Sequence, residues 1–173
     1  MRQPPCTASG VLRARRSIFV LMNAAAKQTV LRHFSYGVYA LTVKQEGDEH
    51  GIAATWVSQS SSDPAMVVVA VESRSKMIEM IRDAHHFAIS VFHEGQGDLA
   101  EKLGRGSAGT LPKLKGVKTK PGPISGVPVL AEALGWVECR VVATLPSGDH
   151  TLVLGEVVEA GVEHEGKGLK YSG

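Results

Sequence analysis

Runs of apolar residues divide the chain into short β-strands separated by turns. MVVVAV (66–71) is apolar at every position, which indicates a strand covered on both faces. Shorter β-rich stretches bounded by Gly, Ser, Asp or Pro lie at 36–43, 52–59 and 87–92. Two long stretches near the C-terminus, ALGWVECRVVATL and HTLVLGEVVEAGV, are joined by the turn PSGD. The pattern predicts about six consecutive strands, which is typical of an antiparallel barrel and not of βαβ units.

Helical spacing is confined to three short segments, at 24–34, 75–84 and 98–104. Residues 104–128, in contrast, are rich in Gly, Pro and Lys and have no apolar period. A connection of that length is longer than an ordinary loop, which favours a functional or mobile segment. The predicted fold class is therefore mainly β, with short helices.

Composition excludes several classes of protein. The 173 residues are 43% apolar and contain no apolar run of the roughly 20 residues that span a bilayer. The net charge of +2 hides an uneven distribution, because residues 1–45 carry seven Lys/Arg and no acid, which leaves the rest of the chain acidic. A nucleic-acid-binding protein would carry its positive charge on the folded body, so we predict no nucleic acid and no membrane as partners.

The cysteines and the N-terminus bear on location and boundaries. Cys6 and Cys139 are far apart and show neither a disulfide framework nor zinc spacing, so a cytoplasmic location is the default. Alternation places Cys139 opposite Glu138 and Arg140, as a small buried hydrophobe. Residues 1–21 read either as a transit or signal segment or as an extension upstream of a natural start at Met22. We predict an N-terminal extension over 1–21, disordered or outside the native chain, and one domain over 22–173.

GIAATWVSQSSSDP (51–64) is the first candidate for a binding segment. Small side chains let a flat ligand approach the backbone, whose N–H and C=O groups then bind it, and hydroxyls add orientable donors. The alternative is that these small residues pack a tight corner of a barrel. The segment contains neither a nucleophile elbow nor a phosphate-binding loop.

ESRSKM (72–77) is the second candidate. Ser73 or Ser75 can cap the helix that follows, and Arg74 and Lys76 add positive charge beside a helix N-terminus, which favours anions. The alternative is an ordinary solvated helix start.

The histidines give one further candidate. Residues 85–86 and 93–94 flank a strand without a spacing that fixes a metal, so no metal site is predicted. His150 follows a Gly-Asp turn and begins a strand, where it could titrate near neutral pH or donate to a ligand. It could equally be a turn residue held by Asp149.

Five segments in order resemble the flavin-reductase-like family, the FMN-binding split barrels. They are HFSYGVYALTV, GIAATWVSQSSSDP, FAISVFHEGQGDLAEKLG, PVLAEALGWVECRVV and GDHTLVLGEVVEA, and the resemblance covers about residues 28–171. It implies a six-stranded antiparallel split β-barrel with short helices, forming a homodimer with FMN at the interface. It also implies an NAD(P)H-dependent flavin oxidoreductase that passes hydride from NADH or NADPH to flavin. Electrons would then go to free flavin or to a partner such as a monooxygenase or an electron-transfer protein.

The same resemblance implies the roles of individual residues. The isoalloxazine ring would lie along 54–58, the phosphate near 73–76, and the ring's other side against 90–96, with His150 near the nicotinamide. The implied cofactor-binding residues are Ala54, Thr55, Trp56, Val57, Ser58, Ser73, Arg74, Ser75, Lys76, Ser90 and Gln96. Met77 departs from the family, which often has Thr or His there, because a thioether cannot bind phosphate as they do.

Two other functions share this type of barrel. A flavoredoxin-like electron carrier would hold FMN but take its electrons from a protein instead of NAD(P)H. A pyridoxamine-phosphate oxidase is the weaker alternative, because GDHTLVLGEV resembles the reductases.

Overall fold

A computed structural model describes residues 22–105 and 113–171 of the chain. The chain divides into two compact units, Met1–Phe34 and Ser35–Gly173. The described part of the first unit contains α1 (Ala24–Arg32), which begins at Asn23, whose side chain accepts a hydrogen bond from the Ala26 N–H at 3.0 Å. The predicted extension over 1–21, with Cys6, lies outside the described residues, and the boundary at Met22 stays a prediction.

The second unit is mainly β, as predicted. Its helices are α2 (Lys76–Ala84) and α3 (Gly97–Gly104). Its strands are β1 (Tyr39–Gln45), β2 (Asp48–Ala54), β3 (Val57–Ser62), β4 (Ala65–Glu72), β5 (His86–Val91), β6 (Thr119–Pro121), β7 (Pro128–Leu130), β8 (Gly135–Ser147) and β9 (His150–Val162).

Seven of these strands form one antiparallel sheet in the order β2-β1-β5-β8-β9-β4-β3, and β6 pairs with β7 separately. The sheet therefore has one strand more than the about six strands that the pattern predicts. The stretch 52–59, taken as one strand, is divided at Thr55 and Trp56 between the end of β2 and the start of β3. Periodicity missed the division because both halves are β-rich and no Gly or Pro separates them.

The division matters because β2 and β3 stand at opposite ends of the strand order. Only Thr55 and Trp56 separate them, and the three Cα steps from Ala54 to Val57 span at most about 11 Å. The two ends of the sheet are therefore brought close together at this point. The Ala70 N–H of β4 donates to the Trp56 carbonyl at 3.0 Å, which fixes the crossing against a neighbouring strand.

The main core lies between the sheet and α2. Met77, Ile78, Met80 and Ile81 of α2 are all buried against strand residues such as Phe87. Full burial of such a side chain contributes about 1.5–3 kcal/mol. Met77 is 0% exposed, so it serves the core and not a ligand.

Cys139 is buried as predicted, but its neighbour Glu138 is buried too. A shift of register between Glu138 and Cys139 interrupts the alternation that would have placed the carboxylate outside. The carboxylate accepts hydrogen bonds from the Ile124 N–H at 3.1 Å and from the N–H (2.5 Å) and hydroxyl of Ser125. Glu138 thus anchors residues 122–126, the described end of the long Gly/Pro/Lys-rich segment. Burial raises the pKa of the Cys139 thiol to about 12, which makes it an inert packing residue.

Candidate functional site

A cleft of about 310 Å³ opens where β2, β4, β9 and the two helices of the second unit meet. Strand ends, helix ends and the crossing between β2 and β3 all contribute to it. Its lining residues are His50, Ile52, Ala53, Ala54, Thr55, Trp56, Ala70, Val71, Glu72, Ser75, Lys76, Leu103, Gly104, Lys113 and His150. Part of the lining is small and apolar, and the rest includes two lysines and two imidazoles.

The small wall comes from the end of β2 and the crossing that follows. Ala53, Ala54 and Thr55 leave the backbone accessible, and a Cβ on Gly104 would stand 3.7 Å from the Ala53 Cβ, so α3 lies close behind the wall. Trp56 is 50% exposed at the rim. The small residues agree with both interpretations of the segment 51–64. They permit a sharp crossing between strands, and they also leave room for a flat ligand.

Trp56 and His150 form an aromatic pair at this rim. Their ring centroids lie 4.7 Å apart with the planes tilted by 47°. His150 is the first residue of β9 and pairs with Glu72 across β4. The sequence placed both residues at the site but gave no sign that they touch, because they are far apart in the chain.

Asp149 orients the imidazole of His150. The Nδ1 atom lies 2.7 Å from the Asp149 Oδ1, and this hydrogen bond, with the attraction of the ring, holds the pKa of the Asp149 carboxyl below its usual value. An ionised carboxylate can only accept, so the proton of this contact sits on Nδ1. The contact leaves Nε2 available for a ligand, and so His150 is held by Asp149 and also lines the cleft.

The other end of the cleft is positively charged. Ser75 begins α2 by donating to the Glu72 carbonyl at 2.7 Å and accepting from the Ile78 N–H at 3.4 Å, and the exposed Lys76 follows it. Lys113 lines the same end, with its Nζ donating to the Leu103 carbonyl at 3.0 Å. A helix N-terminus beside two lysines favours an anion.

His50 lies at the floor of this charged end. It is 7% exposed and stands opposite Val43 in the β1–β2 ladder. Burial, followed by the charges of Lys113 and Lys76, lowers the pKa of the imidazole below its usual value. The stretch KQEGDEHG (44–51) is polar and contains Gly47-Asp48, which favours a turn, but alternation along β2 puts His50 on one face with Ile52 and Ala54. Lys113 had no such signal, because it lies within the segment 104–128, which has no apolar period.

The structure brings half of the predicted site residues together and separates the others. Ala54, Thr55, Trp56, Ser75, Lys76 and His150 line the cleft. Ser73 turns to the Thr151 hydroxyl at 2.9 Å, Arg74 is exposed outside the lining, and Val57 and Ser58 line a different groove. That groove, of about 450 Å³, is larger but apolar, with Tyr39 and Trp136 among its walls, so the polar chemistry points to the smaller cleft.

Ser90 and Gln96 are engaged in structural contacts. The Ser90 hydroxyl is buried in β5 and accepts from the Leu130 N–H at 3.1 Å. Gln96 donates to the Glu132 carbonyl at 3.0 Å and accepts from the His93 N–H at 3.1 Å. Neither is among the residues that line the cleft.

Residues 22–105 and 113–171 contain neither a candidate metal site nor a candidate membrane-spanning helix. No three of their His, Cys, Asp or Glu side chains are grouped so that they could hold a metal ion. Within the same ranges, none of the helices has the length and apolar character needed to cross a membrane.

Comparisons with known proteins extend these observations. The family model described as "Flavin reductase like domain" matches residues 31–173. The reductase component of 4-hydroxyphenylacetate 3-monooxygenase from Thermus thermophilus is 33% identical, over 87% of this chain and 92% of its own. An NADH-dependent flavin reductase from Rhodococcus sp. is 34% identical, over 73% of this chain and 70% of its own. A solved Streptomyces globisporus NADH:FAD oxidoreductase, in complex with NAD and FAD fragments, aligns with a TM-score of 0.77 at 28% identity, over 86% of this chain and 87% of its own.

The chain therefore belongs to the flavin reductase-like family. Membership confirms the predicted class of enzyme, a flavin oxidoreductase.

Proposed function

We propose that this chain is an NAD(P)H-dependent flavin reductase that binds FMN in the cleft between Trp56 and Lys76. The observation that carries the proposal is the joining of a small-residue wall to a cationic end in one cleft. FMN has the matching parts, a flat ring and a phosphate. The buried imidazole of His50, which opens onto the same space, is a further polar group that suits an anionic ligand.

Different residues of the cleft would contact the ring and the phosphate of FMN. The backbone of 54–56 borders the ring, whereas Ser75 and Lys76 receive the phosphate together with Lys113. His150 and Trp56 stand at the rim, where a nicotinamide could approach, and Asp149 keeps the Nε2 of His150 available. Bound flavin supplies the redox chemistry, accepting a hydride from reduced nicotinamide and passing electrons on.

The proposed phosphate contacts differ in part from the predicted set. Ser75 and Lys76 stay in it, and Lys113 and His50 are added because they line the same end. Arg74 would act only at longer range. The contacts of Val57, Ser58, Ser73, Ser90 and Gln96 with flavin remain proposals without support from the lining of the cleft.

The finer architecture is proposed as well. A six-stranded split barrel within the seven-stranded sheet is supported by the short link between β2 and β3, which draws the two ends of the strand order together. The proposed homodimer is supported by the apolar groove lined by Tyr39, Val57 and Val162, of which Val162 is 87% exposed.

We keep 22–173 as the proposed domain. The proposed cytoplasmic location rests on the cysteine pattern alone.

A monooxygenase is the proposed acceptor of the electrons. The support is that the Thermus thermophilus relative is named as the reductase component of such an enzyme. Free reduced flavin would then carry electrons between the two proteins.

Rapid mixing of the FMN-loaded protein with NADH, and separately with NADPH, tests the function. We expect the visible absorbance of the flavin to bleach far faster than that of free FMN under the same conditions. FMN must first bind, and a titration to ~100 μM without change in flavin fluorescence would leave affinity weaker than about −5.5 kcal/mol and overturn the proposal. Tight binding without bleaching by either nucleotide would instead identify an electron carrier.

A further inference from the structure

His50 is a buried polar side chain with no partner among residues 22–105 and 113–171. It is 7% exposed, and its imidazole makes no hydrogen bond or ion pair within the described part of the chain. No described side-chain nitrogen or oxygen that is sealed from solvent lacks a partner, so the ring nitrogens of His50 keep some accessible surface. The space onto which the residue opens is the cleft.

The surroundings of His50 are closely packed. A Cβ on the adjacent Gly51 would stand 2.7 Å from the Leu114 Cδ2, so the segment after Lys113 packs directly on β2. Lys113 is tied to the end of α3 through the Leu103 carbonyl. The imidazole and the lysine are thus held at one end of the cleft by backbone contacts on both sides.

The charges that face His50 come from every element around it. Lys76 projects from α2, and Lys113 lies at the end of α3. On the β1 side, Lys44 and Glu49 pair with each other at 3.3 Å. Glu72 and His150 line the same cleft, with His150 tied to Asp149. Of these groups, Lys113 and Lys76 supply the charges that act on the imidazole, and they disfavour a further positive charge on it unless an anion joins them.

We propose that His50 takes up a proton when the phosphate of FMN binds, so that binding of the phosphate is coupled to pH through this residue. The proposal rests on the proposed function for the identity of the ligand. A phosphate dianion between Lys76, Lys113 and His50 would reverse the local field and supply the acceptor that the imidazole lacks. His50 is then a positioning residue that discriminates flavins by their phosphate, not a group that takes part in electron transfer.

The sign of the effect follows from the two states. Burial and the lysines hold the pKa of free His50 below its usual value, so the ring is neutral near pH 7. Bound phosphate raises that pKa, and between the two values each binding event takes up a proton. Affinity for FMN should therefore rise as the pH falls from about 8 to about 6.5, a range in which the phosphate is still mostly a dianion. One linked proton allows at most about tenfold per pH unit.

The test compares FMN with riboflavin, which lacks the phosphate. Dissociation constants are measured by flavin fluorescence between about pH 6.5 and 8 for the wild type, His50→Asn and His85→Asn. His85 is a matched control, because it is exposed and holds a left-handed conformation (φ 57°) that Asn accepts. We expect the wild type and His85→Asn to gain roughly fivefold or more for FMN across the range, with riboflavin unchanged. His50→Asn should lose that gain.

Equal pH profiles for FMN in the wild type and in His50→Asn would overturn the proposal while leaving the flavin reductase in place. Failure of any flavin to bind would overturn the proposed function instead. A second measurement tests the anion site without any flavin. The ring resonances of His50 are assigned by comparison with His50→Asn, and their pH titration is followed by NMR with and without pyrophosphate. A rise in the pKa of His50 supports the anion site, and an unmoved titration curve contradicts it.

Discussion

Glu138 and His50 are both buried polar side chains, but they differ in their hydrogen bonding. Glu138 is 0% exposed, and its carboxylate is saturated by the backbone of Ile124 and Ser125 and by a hydroxyl. His50 is almost as buried, yet within the described chain it has no partner. Sealing a polar group from water without a hydrogen bond costs about 1–3 kcal/mol, and the ring nitrogens of His50 avoid that cost because they keep some surface open to the cleft. The saturated group is therefore a structural anchor, whereas we propose that a ligand completes the contacts of the open one.

The largest expected effect tests the anchor side of this comparison. Glu138→Ala removes the acceptor of three hydrogen bonds and leaves a cavity where the 0% exposed side chain stood, so we expect a loss of about 3 kcal/mol in the free energy of unfolding. For a chain of this size that is roughly 6–12 °C in Tm by calorimetry. Glu165→Ala, at an exposed loop position, is the control and should stay within about 0.5 kcal/mol. A folded Glu138→Ala variant of unchanged Tm would refute the anchor.

The next effect tests the ligand side. Lys76→Ala should weaken FMN by about 10- to 100-fold and riboflavin much less, because a charge-assisted hydrogen bond is worth about 1.5–3 kcal/mol. Tm without ligand should hardly move, since Lys76 is exposed. Arg74→Ala is the matched control: it lies two residues away and outside the lining, so its effect on FMN should be within about threefold. Equal losses for both flavins in Lys76→Ala would place the phosphate elsewhere.

The smallest expected effect concerns His150 at the rim of the cleft. It separates a role in flavin reduction from a role in FMN binding. His150→Ala should keep FMN affinity within a few fold and slow reduction by NAD(P)H by at least about tenfold, near 1.4 kcal/mol in the barrier. The reason is that Asp149 leaves the Nε2 of His150 free beside Trp56. Tm and stopped-flow reduction are measured on one preparation. A loss of Tm with an unchanged rate would make His150 a turn residue only.

The sequence predicted the features that depend on local pattern. Each long strand, α2 and the burial of Cys139 follow from periodicity and capping, and the small-residue segment and Lys76 do line one cleft. Several of the misses depend on pairing between distant segments. Nothing in the neighbours of Ser90 indicates that its hydroxyl is taken by the Leu130 N–H, and nothing near Lys113 places it against α3. A register shift likewise hid the burial of Glu138, because strict alternation assumes an uninterrupted ladder.

The two-residue crossing at Thr55 and Trp56 also has a consequence for the order of assembly. The hairpins β1–β2, β3–β4 and β8–β9 are local and need only short loops to close. The registers that join them are not local: Met66 pairs with Glu156, and His86 with Arg140. Pairing across such separations closes large loops and is slow compared with hairpin formation. Because the crossing connects two hairpins that meet the rest of the sheet on different sides, its backbone reaches its final position only when the last long-range register closes. We therefore expect the proposed flavin cleft to form late in folding, as a property of the assembled sheet that no isolated hairpin possesses.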